Sequence, residues 1–166
     1  MRTFVLATID DLPRILELRD LARDIMRRNG NRDQWPEGYP TEETFRHDIE
    51  QGHSYVMKED GEIIGTWAFI PGPDPTYSII YGGNWLDDTL PYYVIHRIAS
   101  TPESHNVMDA ILHFCFSQCN NLRIDTHRDN HIMQHILQKH GFTYCGIIHI
   151  ATGDERLAYQ KAIGQR

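Results

Sequence analysis

The sequence predicts an α/β (α+β) fold with a mixed central sheet of six to seven strands and about four flanking helices. Three observations predict this fold class. An Asp-Gly turn at 60–61 separates two apolar runs, which is a strong hairpin signal. The stretch 92–126 predicts a strand, a helix and a strand, which form a right-handed crossover between parallel strands. Two more strands follow the last helix, so hairpins and a parallel pair share one sheet.

The first third of the chain predicts a strand and two helices. The apolar run Thr3 to Ala7 predicts a strand. Thr8 starts a helix that ends at 29–31 (Asn-Gly-Asn), and Pro13 fits its first turn. A loop over 31–40 follows, and Thr41 then caps a helix through Gln51.

The hairpin comes next, with strands over 54–58 and 63–69. The segment 71–91 is rich in Pro, Gly, Asp and aromatic residues, and one or two helical turns are expected at 77–81. So long an insertion in a compact domain is more often functional than idle.

The second half predicts four more elements before the final pair of strands. In order, the sequence predicts a strand over 92–99, a helix over 106–118, a strand over 122–126, a helix over 130–141, and strands over 142–150 and 155–162. The strand at 155–162 is expected to be an exposed edge, which would permit a homodimer; a monomer is equally open.

The composition indicates an ordinary globular domain. A chain of 166 residues buries a sizeable core, so residues 1–166 are expected to form a single domain. The net charge of -7 repels phosphate backbones, so a nucleic-acid partner is not expected. No apolar run approaches the ~20 residues of a membrane helix, and no signal-peptide pattern opens the chain. A cytoplasmic protein without a membrane partner is therefore expected.

Cysteine and histidine spacing does not predict a metal site. Cys115, Cys119 and Cys145 form an odd and sparse set, typical of small buried hydrophobes rather than disulfides or zinc ligands. His131 and His135 are four residues apart on the last predicted helix, but no third ligand is visible, so an exposed polar face is expected. The prediction is therefore that no metal is bound.

Two stretches carry a family resemblance. The first is 96–103, His-Arg-Ile-Ala-Ser-Thr-Pro-Glu, and the second is 130–142, Asn-His-Ile-Met-Gln-His-Ile-Leu-Gln-Lys-His-Gly-Phe. Together with the element order, they resemble the GNAT superfamily of acyl-CoA-dependent N-acetyltransferases. The resemblance implies splayed fourth and fifth strands and an acetyl group moved directly from acetyl-CoA, as co-substrate, to a primary amine of a small molecule or peptide.

The resemblance also implies where acetyl-CoA lies. Backbone groups after the fourth strand would pair with the pantetheine, and the following loop and helix N-terminus would receive the pyrophosphate. The residues expected to contact it are Ile98, Ala99, Ser100, His105, Asn106, Val107, Met108, Asn130 and Lys139.

The chain departs from the family pattern at two places. Asn106 and Met108 stand where the cofactor loop has small residues, although Asn tolerates the left-handed conformation. Leu137 stands where many members have the tyrosine that protonates the leaving thiolate. The alternative to an enzyme is therefore a catalytically impaired GNAT fold that acts as a ligand-binding or sensor domain.

The base that deprotonates the acceptor ammonium is expected on the two splayed strands. His96 and His127 are the candidates because histidine titrates near neutral pH, and Asp125 could orient His127 or bind a substrate. In the alternative interpretation, Asp125 pairs with Arg97 or Arg123 and both histidines are ordinary strand residues.

Aromatic residues outside the regular elements are expected to bind the acceptor. They are Trp35, Tyr39, Tyr77 and Trp85, together with Tyr81. The alternative is a small core beneath long loops. Asp74, Asp87 and Asp88 would favour a cationic acceptor, or else simply form turns.

Overall fold

The computed structural model describes residues 1–163, in which seven strands form one sheet. The strands are β1 (Arg2–Leu6), β2 (Ser54–Glu59), β3 (Glu62–Pro71), β4 (Tyr93–Ser100), β5 (Asn121–Thr126), β6 (Thr143–His149) and β7 (Glu155–Ala162). The helices are α1 (Leu12–Arg28), α2 (Glu42–Glu50), α3 (Val107–Gln118) and α4 (His131–Lys139). The strand order is β1-β2-β3-β4-β5-β7-β6, and only the β4–β5 pair is parallel among the described strands. The predicted mixed sheet with about four helices is confirmed.

Local sequence signals set the element boundaries. Thr8 forms a capping box with Asp11 around a short 3-10 turn, and α1 follows directly. Thr41 caps α2 because its hydroxyl accepts a hydrogen bond from the Thr44 amide at 3.2 Å. Between β2 and β3, Asp60 and Gly61 both have positive φ, the conformation that Asp-Gly hairpins require.

A bulge bends β4 in its middle. Thr66 pairs with Ala99 and Ala68 pairs with His96, so one residue of β3 faces two residues of β4. Within the bulge, Arg97 takes the left-handed conformation (φ 55). Its guanidinium donates two hydrogen bonds, of 2.7 and 2.8 Å, to the buried carboxylate of Asp48. This bidentate pair attaches the strained strand to α2.

The parallel strands β4 and β5 touch only at one end. Their paired residues are Tyr93 with Leu122 and Val94 with Arg123, and beyond these the strands part. The predicted splay is therefore confirmed.

Helices cover both faces of the sheet. One core joins α3 and α4 to the sheet and contains the fully buried side chains of Ile111, Cys115 and Leu137. On the other face, α1 and α2 pack through Ile15 and Phe45. All three cysteines are free. Cys115 and Cys145 are buried, as predicted, and Cys119 is half-buried. None of the helices within residues 1–163 is long and apolar enough to cross a bilayer.

The prediction that the strand at 155–162 forms an exposed edge was wrong. β7 lies between β5 and β6 and pairs along its length with both, so it offers no free edge. The edges are β1 and β6. On β6, Ile147 exchanges two hydrogen bonds of 2.8 Å with Tyr81, so the preceding loop covers part of that edge.

The helical turn expected at 77–81 lies earlier, at Pro75–Tyr77. Asp74 caps it by accepting a hydrogen bond from the Thr76 amide at 2.9 Å, and Pro75 occupies the first position, where no amide is needed. Tyr81 is extended because it pairs with β6.

Replacing Gly83 with Ala tests whether the covered edge requires close backbone approach. An added Cβ would lie 2.0 Å from the Cys145 carbonyl oxygen, so we expect a loss of about 3 kcal/mol in unfolding free energy. The control is Gly82→Ala, where the added Cβ meets open space but φ is +70, and only about 1 kcal/mol should be lost. Urea unfolding measures both, and equal losses would contradict the close approach.

Candidate active site

A cavity of about 450 Å³ opens where β4 and β5 part. Residues 95–98 of β4 and 124–126 of β5 form its walls. The loop after α1 and the loop between β6 and β7 form its rim, through residues 33–36 and 150–154. The cavity therefore lies at the cleft that splayed strands were expected to create.

His96 lies on this cavity between two carboxylates. Its Nε2 is 3.2 Å from Oδ2 of Asp74, and its Nδ1 is 3.9 Å from Oδ2 of Asp125. The buried phenol of Tyr77 donates a hydrogen bond of 2.6 Å to the same Asp125 oxygen. Three chain segments far apart in sequence thus meet around one imidazole.

The charge states follow from these contacts. Burial raises the pKa of Asp74, but hydrogen bonds from His96 and Thr76 outweigh it and lower that pKa to about 2. Burial, and next the charge of Asp125, raise the pKa of Tyr77 well above its usual value, so the phenol keeps its proton. An ionised carboxylate only accepts hydrogen bonds, so we assign the ring proton to Nε2, facing Asp74. The lone pair of Nδ1 then faces Asp125.

The alternative pairing of Asp125 with arginine is not found. Arg97 binds Asp48, and Arg123 binds Asp88 at 3.1 Å. The Arg123 guanidinium also lies between the rings of Trp85 and Tyr92, 4.0 and 3.9 Å from their centres. Both cations are engaged elsewhere, so the Asp125 carboxylate is left to His96 and Tyr77.

His127 follows β5 and is buried, but it does not line the cavity. Its Nδ1 accepts a hydrogen bond from the Asp129 amide at 3.0 Å. Burial, and next the positive charge of Arg156, lower the pKa of His127, so the ring is neutral at pH 7. The structure therefore brings Asp125 together with His96 and not with His127.

Gln34 fastens the loop after α1 over the end of β5. Its Oε1 accepts hydrogen bonds of 3.0 Å from the side chains of Asn31 and Asn130, and of 3.3 Å from the Thr126 hydroxyl and the His127 amide. One side-chain oxygen thus links the loop after α1 to the end of β5 and the start of α4. No sequence pattern marked this glutamine.

The aromatic set divides into two groups. Trp35 and Tyr39 line the cavity, as expected for acceptor contacts. Tyr77 and Trp85 lie in a buried cluster beside it, where the Trp85 indole donates a hydrogen bond of 3.0 Å to the Tyr77 carbonyl. The structure thus places these two in the small core that was the alternative interpretation, and Tyr81 is half exposed at the β6 edge.

The three aspartates also divide. Asp74 lines the cavity, whereas Asp87 accepts hydrogen bonds from Thr89 and Leu90 in a turn. Asp88 pairs with Arg123.

The loop expected to hold the pyrophosphate enters α3 through a left-handed residue. Asn106 adopts the left-handed conformation (φ 57), and no side chain caps the N-terminus of α3. Arg2 donates hydrogen bonds to the carbonyls of His105 and Asn106, at 2.7 and 3.4 Å. The Asp109 carboxylate contacts Nε2 of His140 at 2.6 Å, so it is drawn towards α4.

The other predicted cofactor contacts differ in position and exposure. Ile98 and Asn130 line the cavity, and the Asn130 side chain also caps α4 through the Met133 amide at 3.0 Å. Ala99 and Val107 are buried; Ser100 and Met108 are half-buried, and His105 and Lys139 are exposed. Leu137 is fully buried in the core, which explains why an apolar residue fits this position.

One group of possible metal ligands occurs within residues 1–163. Ligand atoms of Asp33, His127 and Asp129 lie within 4.8 Å of one another. We assign no metal to them, because Nδ1 of His127 already accepts a hydrogen bond and the charge of Arg156 acts on the same ring. His131 and His135 are exposed, as predicted.

Comparison with known proteins identifies similar chains. The model of the acetyltransferase (GNAT) family matches residues 15–142. A GNAT-family acetyltransferase structure from Streptococcus agalactiae is 35% identical, with a TM-score of 0.90 over 99% of this chain and 96% of that chain. A GNAT-family structure from Listeria monocytogenes is 17% identical, with a TM-score of 0.72 over 98% and 95%. The ribosomal-protein-S18-alanine N-acetyltransferase from Escherichia coli is 14% identical, with a TM-score of 0.65 over 100% and 96%. No curated protein matches the sequence.

Replacing Asp74 with Asn tests its ionised state. The folded pKa of about 2 lies below the unfolded value of 3.8, so the carboxylate stabilises the fold above about pH 4, and this is lost as the pH falls through 2. Between about pH 5 and about pH 2, the unfolding free energy of the wild type should fall by up to about 2 kcal/mol more than that of Asp74→Asn. Solvent screening reduces this difference. Urea unfolding at stepped pH measures this. Asp24→Asn, on the exposed side of α1, is the control, and equal acid sensitivity of wild type and Asp74→Asn would contradict the assignment.

Proposed function

Because the chain belongs to the acetyltransferase (GNAT) family, we propose that it transfers an acetyl group from acetyl-CoA to a primary amine of a small molecule or peptide. One observation carries the choice of base: His96 lies on the cavity between Asp74 and Asp125. The 35% identity over almost the whole chain supports the acyltransferase class.

The residues around His96 suit a cationic acceptor. An amine with a pKa of about 10 arrives as an ammonium and must lose a proton before it attacks. The carboxylates of Asp74 and Asp125 attract that cation. The 3.9 Å between Nδ1 of His96 and Oδ2 of Asp125 is too long for a direct hydrogen bond but suits a bridging ammonium or water. A proton given up in this gap passes to Nδ1 of His96.

Two neighbours keep the base in place. Asp74 fixes the tautomer and the ring orientation through Nε2, and Tyr77 holds Asp125 from the buried side. Trp35 and Tyr39 provide an aromatic wall for the acceptor.

The residues at the cleft also fit acetyl-CoA, which supplies the acetyl group as an activated thioester. Backbone groups of Ile98, Ala99 and Ser100 would hold the pantetheine, because β4 lacks a β5 partner beyond Val94. The uncapped amides of α3 after Asn106 would receive the pyrophosphate.

Exchanging His96 for Ala tests the base. We expect kcat to fall about 10²- to 10⁴-fold, the usual contribution of general base catalysis, while acetyl-CoA affinity stays unchanged. Acetyl transfer to a panel of amines measures turnover, and calorimetry measures affinity. His131→Ala, on the exposed face of α4, is the control. Full activity of His96→Ala together with loss in His127→Ala would move the base to His127.

Calorimetry of the wild type with acetyl-CoA also separates the enzyme from a ligand-binding domain. No binding at high micromolar concentration would remove the acetyltransferase function and leave the sensor alternative.

Substitution of Asn106 tests the pyrophosphate loop. Asn106→Gly preserves the left-handed conformation and should bind acetyl-CoA as well as the wild type. Asn106→Val places a β-branched residue there, at a cost of about 1–3 kcal/mol, so affinity should fall about tenfold or more. Equal affinity of the two variants in calorimetry would show that this loop does not hold the ligand.

A further inference from the structure

Arg156, the second residue of β7, is a buried cation at the cavity. It is 6% exposed and lines the cavity. Among the described residues, its guanidinium donates one hydrogen bond, from Nη1 to the neighbouring Glu155 carbonyl at 2.9 Å. Within residues 1–163, its guanidinium forms no ion pair with a carboxylate. Four of its five N–H donors are therefore left for other partners.

The other arginines that the sheet buries are paired. Arg97 holds Asp48 in a bidentate contact, and Arg123 binds Asp88 and lies between two aromatic rings. Burying a charge is costly unless it is paired, so an unpaired guanidinium at a cavity wall indicates that its partner is a ligand.

The position of Arg156 relates it to His96. Ala158 is the β7 partner of Asp125, and Arg156 lies two residues before it on the same face of the sheet. Diagonal neighbours of this kind have Cα atoms roughly 7–8 Å apart. Arg156 and Asp125 therefore flank the same side of the cleft, at a separation that one small molecule can span.

We propose that Arg156 binds a carboxylate of the acceptor, and that the acceptor is an amino acid or short peptide whose amine lies at His96. A carboxylate matches the planar guanidinium fork and takes two parallel hydrogen bonds from it. This inference rests on the proposed acetyltransferase function and names its substrate class.

The remaining charges at the cavity are compatible with such a zwitterion. Asp74 and Asp125 lie at the amine end. Asp33 and Asp154 also line the cavity but are exposed, where water and salt screen their repulsion of a carboxylate. A diamine would instead place its second cation against Arg156.

The test compares acids with their amides. Wild type, Arg156→Gln and Arg156→Lys are assayed with acetyl-CoA on L-amino acids and dipeptides, each beside its carboxamide. Arg128→Gln is the matched control, since Arg128 carries the same charge nearby but is 74% exposed. We expect the wild type to prefer the acids, and Arg156→Gln to raise their KM roughly 10- to 100-fold with the amides unchanged. Arg156→Lys should lie between, because lysine keeps the charge but not the fork.

Two further measurements separate ligand binding from a structural role. Acetyl-CoA affinity should be equal in all variants, and the Tm of ligand-free Arg156→Gln should be unchanged or higher, because an unpaired buried charge is removed. In the presence of CoA, amino acids should raise the Tm of the wild type and not that of Arg156→Gln.

Several results would overturn the inference. The wild type could use acids and amides equally, or prefer aminoalkylphosphonates to the matching amino acids. Arg156→Gln could keep the preference for acids. The wild-type Tm could show no rise that depends on the carboxylate. If the wild type binds no acetyl-CoA, but amino acids raise its Tm and not that of Arg156→Gln, the proposed function is rejected and the carboxylate site is retained.

Discussion

Only two residue pairs join β4 to β5, and the rest of the site depends on the separation of the two strands beyond those pairs. A sheet that continued its pairing here would leave no room for a cavity. The β3–β4 bulge at Arg97 lies beyond Val94, the last β4 residue that pairs with β5, and the buried carboxylate of Asp48 holds that strained arginine in place. The left-handed conformation of Arg97 costs about 1–3 kcal/mol, and its bidentate ion pair with Asp48 of α2 offsets that cost. The cavity in this chain therefore depends on an interruption of strand pairing.

The loops that border the cavity are attached to the sheet by side-chain hydrogen bonds as well as by apolar packing. Gln34 fastens one loop to the end of β5, and Tyr77 fastens the other to Asp125. Both contacts are part-buried, and breaking either would cost a hydrogen bond, which favours the observed loop positions. His96 consequently lies beside Asp125, which the Tyr77 contact ties to the segment before β4.

Elements and caps were predictable because their causes are local. Thr41, the Asp-Gly turn at 60–61 and Asn106 each act on backbone within a few residues, and each appears where it was expected. Contacts between distant segments were not predictable. Asp74 contacts His96 across 22 residues of sequence. The state of Arg156 likewise depends on the folded chain, which brings no carboxylate into an ion pair with it within residues 1–163. The position of β7 inside the sheet was missed for a related reason, since strand order follows from global topology and not from the strand's own residues.

The contact between Arg2 and the loop before α3 couples the periphery of the sheet to the cleft. Edge strands open more readily than central ones, and each opening of β1 would release the carbonyls of His105 and Asn106. Coupling between two sites is reciprocal, so a ligand that orders this loop also makes β1 harder to open. Amide hydrogen exchange in the first six residues would then slow when the loop is occupied. The proposed occupation of this loop would therefore be detectable in β1, about a hundred residues away in sequence.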